Sequence, residues 1–187
     1  MYCPARFSQT DPAALQALIA AHPLGMLVTS NDGLPDADHL PFELVAGNGA
    51  DTDAPAAHGI LRAHVARGNP VWRRAGQRVL AVFRGPSGYV TPDRIEKAET
   101  GGRVVPTWVY DVVHVHGVLR AVDNAAWLRA LVTRQTEHQE AIQPDPWSVD
   151  DAPPAYIEAM LKAIVGIEIV VERMEGKWKR EPAPRVR

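Results

Sequence analysis

The stretch His64-Val65-Ala66-Arg67-Gly68-Asn69-Pro70 combines residue types and spacing suited to holding an anion. Residues 57 to 65 alternate: Ala57, Gly59, Leu61, Ala63 and Val65 fall on one face, and His58, Ile60, Arg62 and His64 on the other. A half-buried strand therefore delivers His64 at its end. Asn69 and Pro70 suit the N-cap and first position of a helix, since the Asn side chain accepts from a free helix N–H and Pro needs no donor there. Backbone amides, the positive end of the helix dipole and Arg67 would converge, an arrangement that favours a phosphate. The same residues also describe a capped surface helix carrying a solvated Arg67.

His114-Val115-His116 is the one metal-like feature, because residues two apart on a strand point the same way and two imidazoles can share an ion. No third ligand is evident nearby in sequence, so a structural role is expected and no metal site. Cys3 is the single cysteine, which rules out an intrachain disulfide and a paired-cysteine zinc motif and reads as an ordinary thiol. The five tryptophans read mostly as core, with Trp108 and Trp178 set apart by polar neighbours. There is no Gly-x-Gly-x-x-Gly, Gly-x-x-x-x-Gly-Lys-Ser/Thr, Gly-x-Ser-x-Gly or His-Glu-x-x-His. Dinucleotide, P-loop, serine-hydrolase and zincin chemistries thus lose their anchors.

The elements that must position these residues fit one domain of 187 residues, long enough for a self-supporting core. Neither a signal peptide nor a bilayer-spanning run is visible, so a soluble cytoplasmic protein with no membrane partner is expected. The formal charge of −2, from 20 basic and 22 acidic residues, does not ask for nucleic acid. The basic cluster Lys177, Lys179, Arg180, Arg185 and Arg187 reads as a solvated tail.

In chain order, Asp11-Pro12 opens a helix with Leu15, Leu18 and Ile19 on one stripe, and Leu24 to Thr29 is a strand ending at the Asn31-Asp32-Gly33 turn. Leu40, Phe42 and Leu44 share a face of the next strand, where Pro41 marks an edge, a bulge or a ligand contact. Residues 46 to 56 read as a loop, Arg78 to Phe83 as a buried strand, and Gly85-Pro86-Ser87-Gly88 as a turn. Asp93 caps a short polar helix, Val104 to Val122 is a long strand with a bulge or close approach at Gly117, Asp123 caps a helix through Trp127, Leu128, Leu131 and Val132, and Asp151 with Pro153 opens another. Ile164 to Val171 is the last strand, with Glu175 to Lys179 closing the ordered part. The fold class is mainly β with flanking helices (α+β), an antiparallel barrel with helices packed outside.

Met1-Tyr2 with Pro4, Asp11-Pro12, His39-Leu40-Pro41, His64 through Pro70, Val105-Pro106-Thr107-Trp108, His114 through Gly117, and Trp147 through Lys179 occur in an order that resembles the PaiB-like family, the FMN-binding negative transcriptional regulators. The chain departs from that pattern at Gly68, where the family has Ala, at Val109, where it has Asn, and at Arg180-Glu181-Pro182, where it often has Ser-Gln-Asn. The resemblance implies a split β-barrel similar to pyridoxamine phosphate oxidase, spanning residues 1–180 with helical insertions at about 123–162, a disordered tail at 181–187, and a homodimer with FMN between subunits. It implies that His39, Leu40, Pro41 and Phe42 lie along the isoalloxazine, that His64, Val65, Arg67 and Asn69 serve the ribityl phosphate end, that Thr107 and Trp108 approach the ring, and that Lys177 and Lys179 close the site. Negative regulation of transcription with flavin redox chemistry follows from the same resemblance. An FMN-dependent oxidoreductase or flavin reductase with no direct DNA contact is the alternative, since no helix-turn-helix or basic recognition helix is present.

Overall fold

The computed structural model describes residues 1–45, 47 and 58–180. The described strands and α-helices follow as β1 (Ser8–Gln9), α1 (Pro12–Ala21), β2 (Leu24–Asn31), β3 (Leu34–Pro41), β4 (Glu43–Val45), β5 (Ile60–Ala66), β6 (Arg78–Val90), α2 (Arg94–Glu99), β7 (Thr107–Val122), α3 (Ala125–Glu140), α4 (Pro154–Lys162) and β8 (Ile164–Lys179). Short 3-10 helices lie at Ala5–Phe7, Pro70–Arg74 and Val149–Asp151. The loop expected at 46–56 (Gly47 apart), the start of the strand at Ala57 and the tail at 181–187 fall outside the described residues.

The strands pair antiparallel in the order β3-β2-β6-β7-β8-β5-β4, with β1 added to β8. β3 and β4 stand at opposite ends of that order, yet only Phe42 separates them in sequence. The sheet must therefore curl round on itself, and the interruption at Pro41 is where the chain crosses from one edge to the other. Pro41 has no N–H to leave unpaired there, and the Phe42 N–H donates to the Pro23 carbonyl at 2.8 Å.

Alternation along each strand fills the barrel with Leu27, Leu61, Ala63, Val79, Ala81, Phe83, Val113, Val115, Val165, Ile167 and Ile169. Asp11 caps α1 by accepting from the Ala13 N–H, and the helix plugs the barrel with Leu15, Leu18 and Ile19. A Cβ at Gly176 would stand 2.3 Å from Leu15, so the strand has no side chain where the helix leans on it. A second cluster, Leu128, Val149, Ile157 and Leu161, forms where α3 and α4 pack together between β7 and β8 in sequence.

Several local expectations shift. The stretch Gly85 to Gly88 does not turn the chain: β6 runs on to Val90, and the register slips between Arg84 and Ser87, a bulge that removes Pro86 from the ladder. Asn124, not Asp123, caps α3 by accepting from the Trp127 N–H, because the Asp123 carboxylate is engaged elsewhere. Asp151 completes a capping box with Ser148, and α4 starts after Pro153. The close approach expected at Gly117 is present, where a Cβ would lie 2.2 Å from the Val170 carbonyl oxygen.

Candidate functional site

A groove of about 840 Å³ opens between the Pro41–Leu44 crossover, Ala20 and Pro23 at the end of α1, and the side of α3 from Val132 to Glu140, with His64 and Trp147 also lining it. β5 carries His64 here because its neighbours Ala63 and Val65 face the core. The His64 Nδ1 is buried with no hydrogen-bond partner among the described residues. Burial lowers the pKa of the imidazole, and a side-chain hydrogen bond with Gln135 opposes that shift. Gln135 also donates from Nε2 to the Pro41 carbonyl at 3.2 Å, and Arg134 clasps Glu43 with two bonds of 2.8 and 2.9 Å. Apolar walls with a few convergent polar groups, at this volume, suit a cofactor-sized ligand.

Of the residues singled out in the sequence, Pro41, Phe42 and His64 line this groove. Leu40 and Val65 are buried in the barrel core, and His39 is exposed on the edge strand. Asn69 does cap the next turn, accepting from the Val71 N–H at 2.9 Å, and its Nδ2 donates to Asp38 at 2.6 Å. That turn is a 3-10 helix of five residues, not the start of an α-helix.

At the expected anion site, Arg67 is engaged by groups of the protein itself. The guanidinium donates to both Asp123 carboxylate oxygens at 2.7 and 2.9 Å, and to the carbonyls of Lys162 and Ile164 at 2.9 and 3.0 Å. The amides of Arg67 and Asn69 donate to the carbonyls of Ala163 and Ala66. Arg67 is thus spent on holding the two ends of the helical segment beside β5, while Asn69 serves the turn itself and Asp38 on β3. Asp123 lies far away in sequence, so local spacing carried no sign of it.

Thr107, Trp108, Lys177 and Lys179 gather at the other end of the barrel. Lys179 Nζ donates to Thr107 Oγ1 at 2.7 Å, Trp108 packs edge-on against Tyr89 with centroids 5.6 Å apart, and Lys177 lies over the Tyr110 ring at 5.4 Å. A smaller hollow of about 380 Å³ adjoins them, lined by Tyr110, Asp111 and Arg180, whose side chains form a salt bridge between the last two. Gly166, opposite His64, and Lys179 are separated by roughly 40 Å of strand contour along β8. None of Thr107, Trp108, Lys177 and Lys179 lines the groove that His64 lines.

Sequence reasoning missed two features. Arg134, Gln135 and Trp147 line the groove from the helical segment, where the pattern showed only an apolar stripe. Glu175 stands directly opposite His114 in the β7–β8 ladder and supplies the third ligand-type group that the His114-Val115-His116 spacing lacked. Strand register, invisible in a single sequence, is what joins them.

The family model described as "Putative FMN-binding domain" matches residues 1–173. The chain is 31% identical to protease synthase and sporulation protein PAI 2 of Bacillus subtilis over 184 residues, covering 96% of this chain and 81% of that protein. Among solved structures it is similar to the flavocytochrome Anf3 from Azotobacter vinelandii, with a TM-score of 0.69 at 12% identity, covering 95% of this chain and 71% of that one. It is also similar to the FAD and heme binding protein from Mycobacterium smegmatis, with a TM-score of 0.63 at 15% identity, covering 96% and 76%. The barrel is accordingly a split β-barrel of the flavin-binding kind, and its cofactor is FMN. A family match over nearly the whole chain, joined to a barrel whose crossover and β5 frame a cofactor-sized groove, makes this chain a member of the FMN-binding domain family to which the PaiB-like proteins belong.

Proposed function

We propose that FMN lies in the groove between the Pro41–Leu44 crossover, His64 and α3, and that a second copy of the chain completes the site. The residues present fit the group. Phe42, Leu44, Val132 and Trp147 give apolar walls, Pro41 offers an edge with no unpaired N–H, and the buried His64 Nδ1 lacks a protein partner. His39, Leu40, Pro41 and Phe42 form the strand along the ring, while Val65 and Asn69 fix the position of His64 and of the turn behind it. His64, whose pKa burial lowers, offers its Nδ1 to the ribityl phosphate end while Gln135 holds the ring. Arg67 contributes to the cofactor only if it leaves Asp123.

The observation that carries the dimer is the separation of the two halves of the site within one chain. Thr107, Trp108, Lys177 and Lys179 meet the His64 half when they come from a partner subunit. The outer face of the sheet supports this reading: Met26, Val28, Leu80, Val82, Val112 and Val118 are half-buried apolar residues facing away from the core. When bound, FMN supplies hydride or single-electron transfer. Lys177 and Lys179 place positive charge to favour an anionic flavin, and Trp108 excludes water from the ring.

The biological role in this reading is negative regulation of transcription in the cytoplasm, exerted through the flavin and a protein partner instead of base readout. Arg62, Arg67, Arg74, Arg78, Arg129, Arg134, Arg173 and Arg180 each face a carboxylate, which withdraws these arginines from contact with a phosphate backbone. That same pairing favours the second reading, an FMN-dependent oxidoreductase or flavin reductase without DNA contact. The deciding experiment is titration of apo-protein with FMN, riboflavin and FAD, read by flavin fluorescence, alongside light scattering for mass. One FMN per chain on a dimer, held more tightly than riboflavin, is the expected result, and full-affinity binding to a monomer would overturn the shared site. Bleaching of the bound flavin by a reduced nicotinamide, with no salt-dependent mobility shift on DNA, would select the oxidoreductase.

A further inference from the structure

We infer that His114, His116 and Glu175 form a binding site for a divalent first-row transition-metal ion on the outer face of the barrel, apart from the FMN groove and among Leu80, Val82 and Val112 of the proposed dimer face. The two histidines share one face of β7, and the β7–β8 register sets Glu175 directly opposite His114. One ligand atom from each residue lies within 4.8 Å of the other two. His116 Nε2 and Glu175 Oε2 are 3.5 Å apart, and two donors held tetrahedrally at about 2.1 Å from one ion stand about 3.4 Å from each other. The His116 Nε2 is buried and has no hydrogen-bond partner among the described residues. Two imidazoles and a carboxylate suit zinc, iron, cobalt or nickel, and leave coordination positions open.

The groups facing the cluster are mixed. From β6, Val82 stands opposite His114 and Leu80 opposite His116, so that side is apolar. From the β8 side, Arg173 donates to Glu175 Oε1 at 2.7 Å, and the Met1 ammonium to Oε2 at 3.2 Å. These two cations compete with a metal ion for the carboxylate. An ion must displace the ammonium from Oε2 and share the carboxylate with Arg173 on Oε1, whose positive charge opposes it.

The test is calorimetric titration of the full chain with Zn²⁺, paired with visible absorption on adding Co²⁺, in FMN-free and FMN-loaded protein. One ion per chain at micromolar concentration or below is expected in both forms, so failure of the FMN reading would leave this result untouched. His114→Gln and Glu175→Gln should each weaken Zn²⁺ binding at least tenfold, while Arg173→Gln should tighten it by removing a competing cation. Lack of stoichiometric binding to the wild-type chain overturns the site, as does binding unaltered by both weakening variants. Circular dichroism confirms folding, and should a weakening variant fail to fold, wild-type stoichiometry and the Arg173→Gln response decide the matter.

Discussion

At the scale of single residues, His64 and Arg67 show how surroundings reassign a side chain. Burial lowers the His64 pKa below its ordinary value of 6.5, with the Gln135 hydrogen bond opposing, and burial lowers that of His114 as well. The unfolded chain therefore binds protons that the folded one refuses. The stabilising effect of the neutral imidazoles is complete above about pH 6.5 and is lost as the pH falls from there through their folded pKa values. Thermal melts taken from pH 7.5 down to 5 should show a falling midpoint, and His64→Gln should flatten part of that slope. A slope unchanged by the substitution would assign it to other groups. The same histidine bears on the cofactor: His64→Ala should weaken FMN about tenfold to a hundredfold, the scale of a hydrogen bond lost to a charged or strongly polar group, as read by fluorescence titration.

Between elements, the contacts that matter join parts far apart in sequence. Arg67 ties the end of β5 to Asp123 at the start of the α3–α4 segment and to the carbonyls of Lys162 and Ile164 at its close. Arg67→Ala and Asp123→Asn should both loosen this segment and speed its cleavage in limited proteolysis. If Arg67 acts only through Asp123, the two variants should also change FMN affinity alike. A loss of affinity confined to Arg67→Ala would return the guanidinium to the phosphate. Beneath α3, Arg62 and Glu168 form a buried pair at 2.9 Å between facing positions of β5 and β8, with the Arg62 guanidinium 5.8 Å from the centre of the Trp127 ring. Removing one partner strands the other charge in the interior, so Glu168→Ala should cost about 3–5 kcal/mol in urea unfolding. Gly166 belongs to the same arrangement, since a Cβ there would meet Trp127 at 2.3 Å.

For the whole molecule, the proposed dimer rests on the outer face of the sheet. Val28→Lys places a charge among Met26, Leu80 and Val82 while leaving the barrel interior untouched. The expected outcome is a folded monomer by light scattering that binds FMN weakly, and a monomer with wild-type FMN affinity would show that one chain suffices. The sequence by itself determined the class of fold and much of the local structure. Alternation marked most of the strands, Asp11 and Asn69 marked their caps, Pro41 marked the break between edges, and the ordered run of family motifs marked the flavin cofactor. These signals are local, or are carried by residue identity, so one chain of letters contains them. Tertiary structure alone decided that Arg67 meets Asp123, that β6 continues past Pro86 through a bulge, that Glu175 faces His114, and that Lys177 and Lys179 lie outside the groove lined by His64. Each depends on strand register or on distant partners competing for the same donor, and register is set by the packing of the whole sheet, which no local pattern encodes.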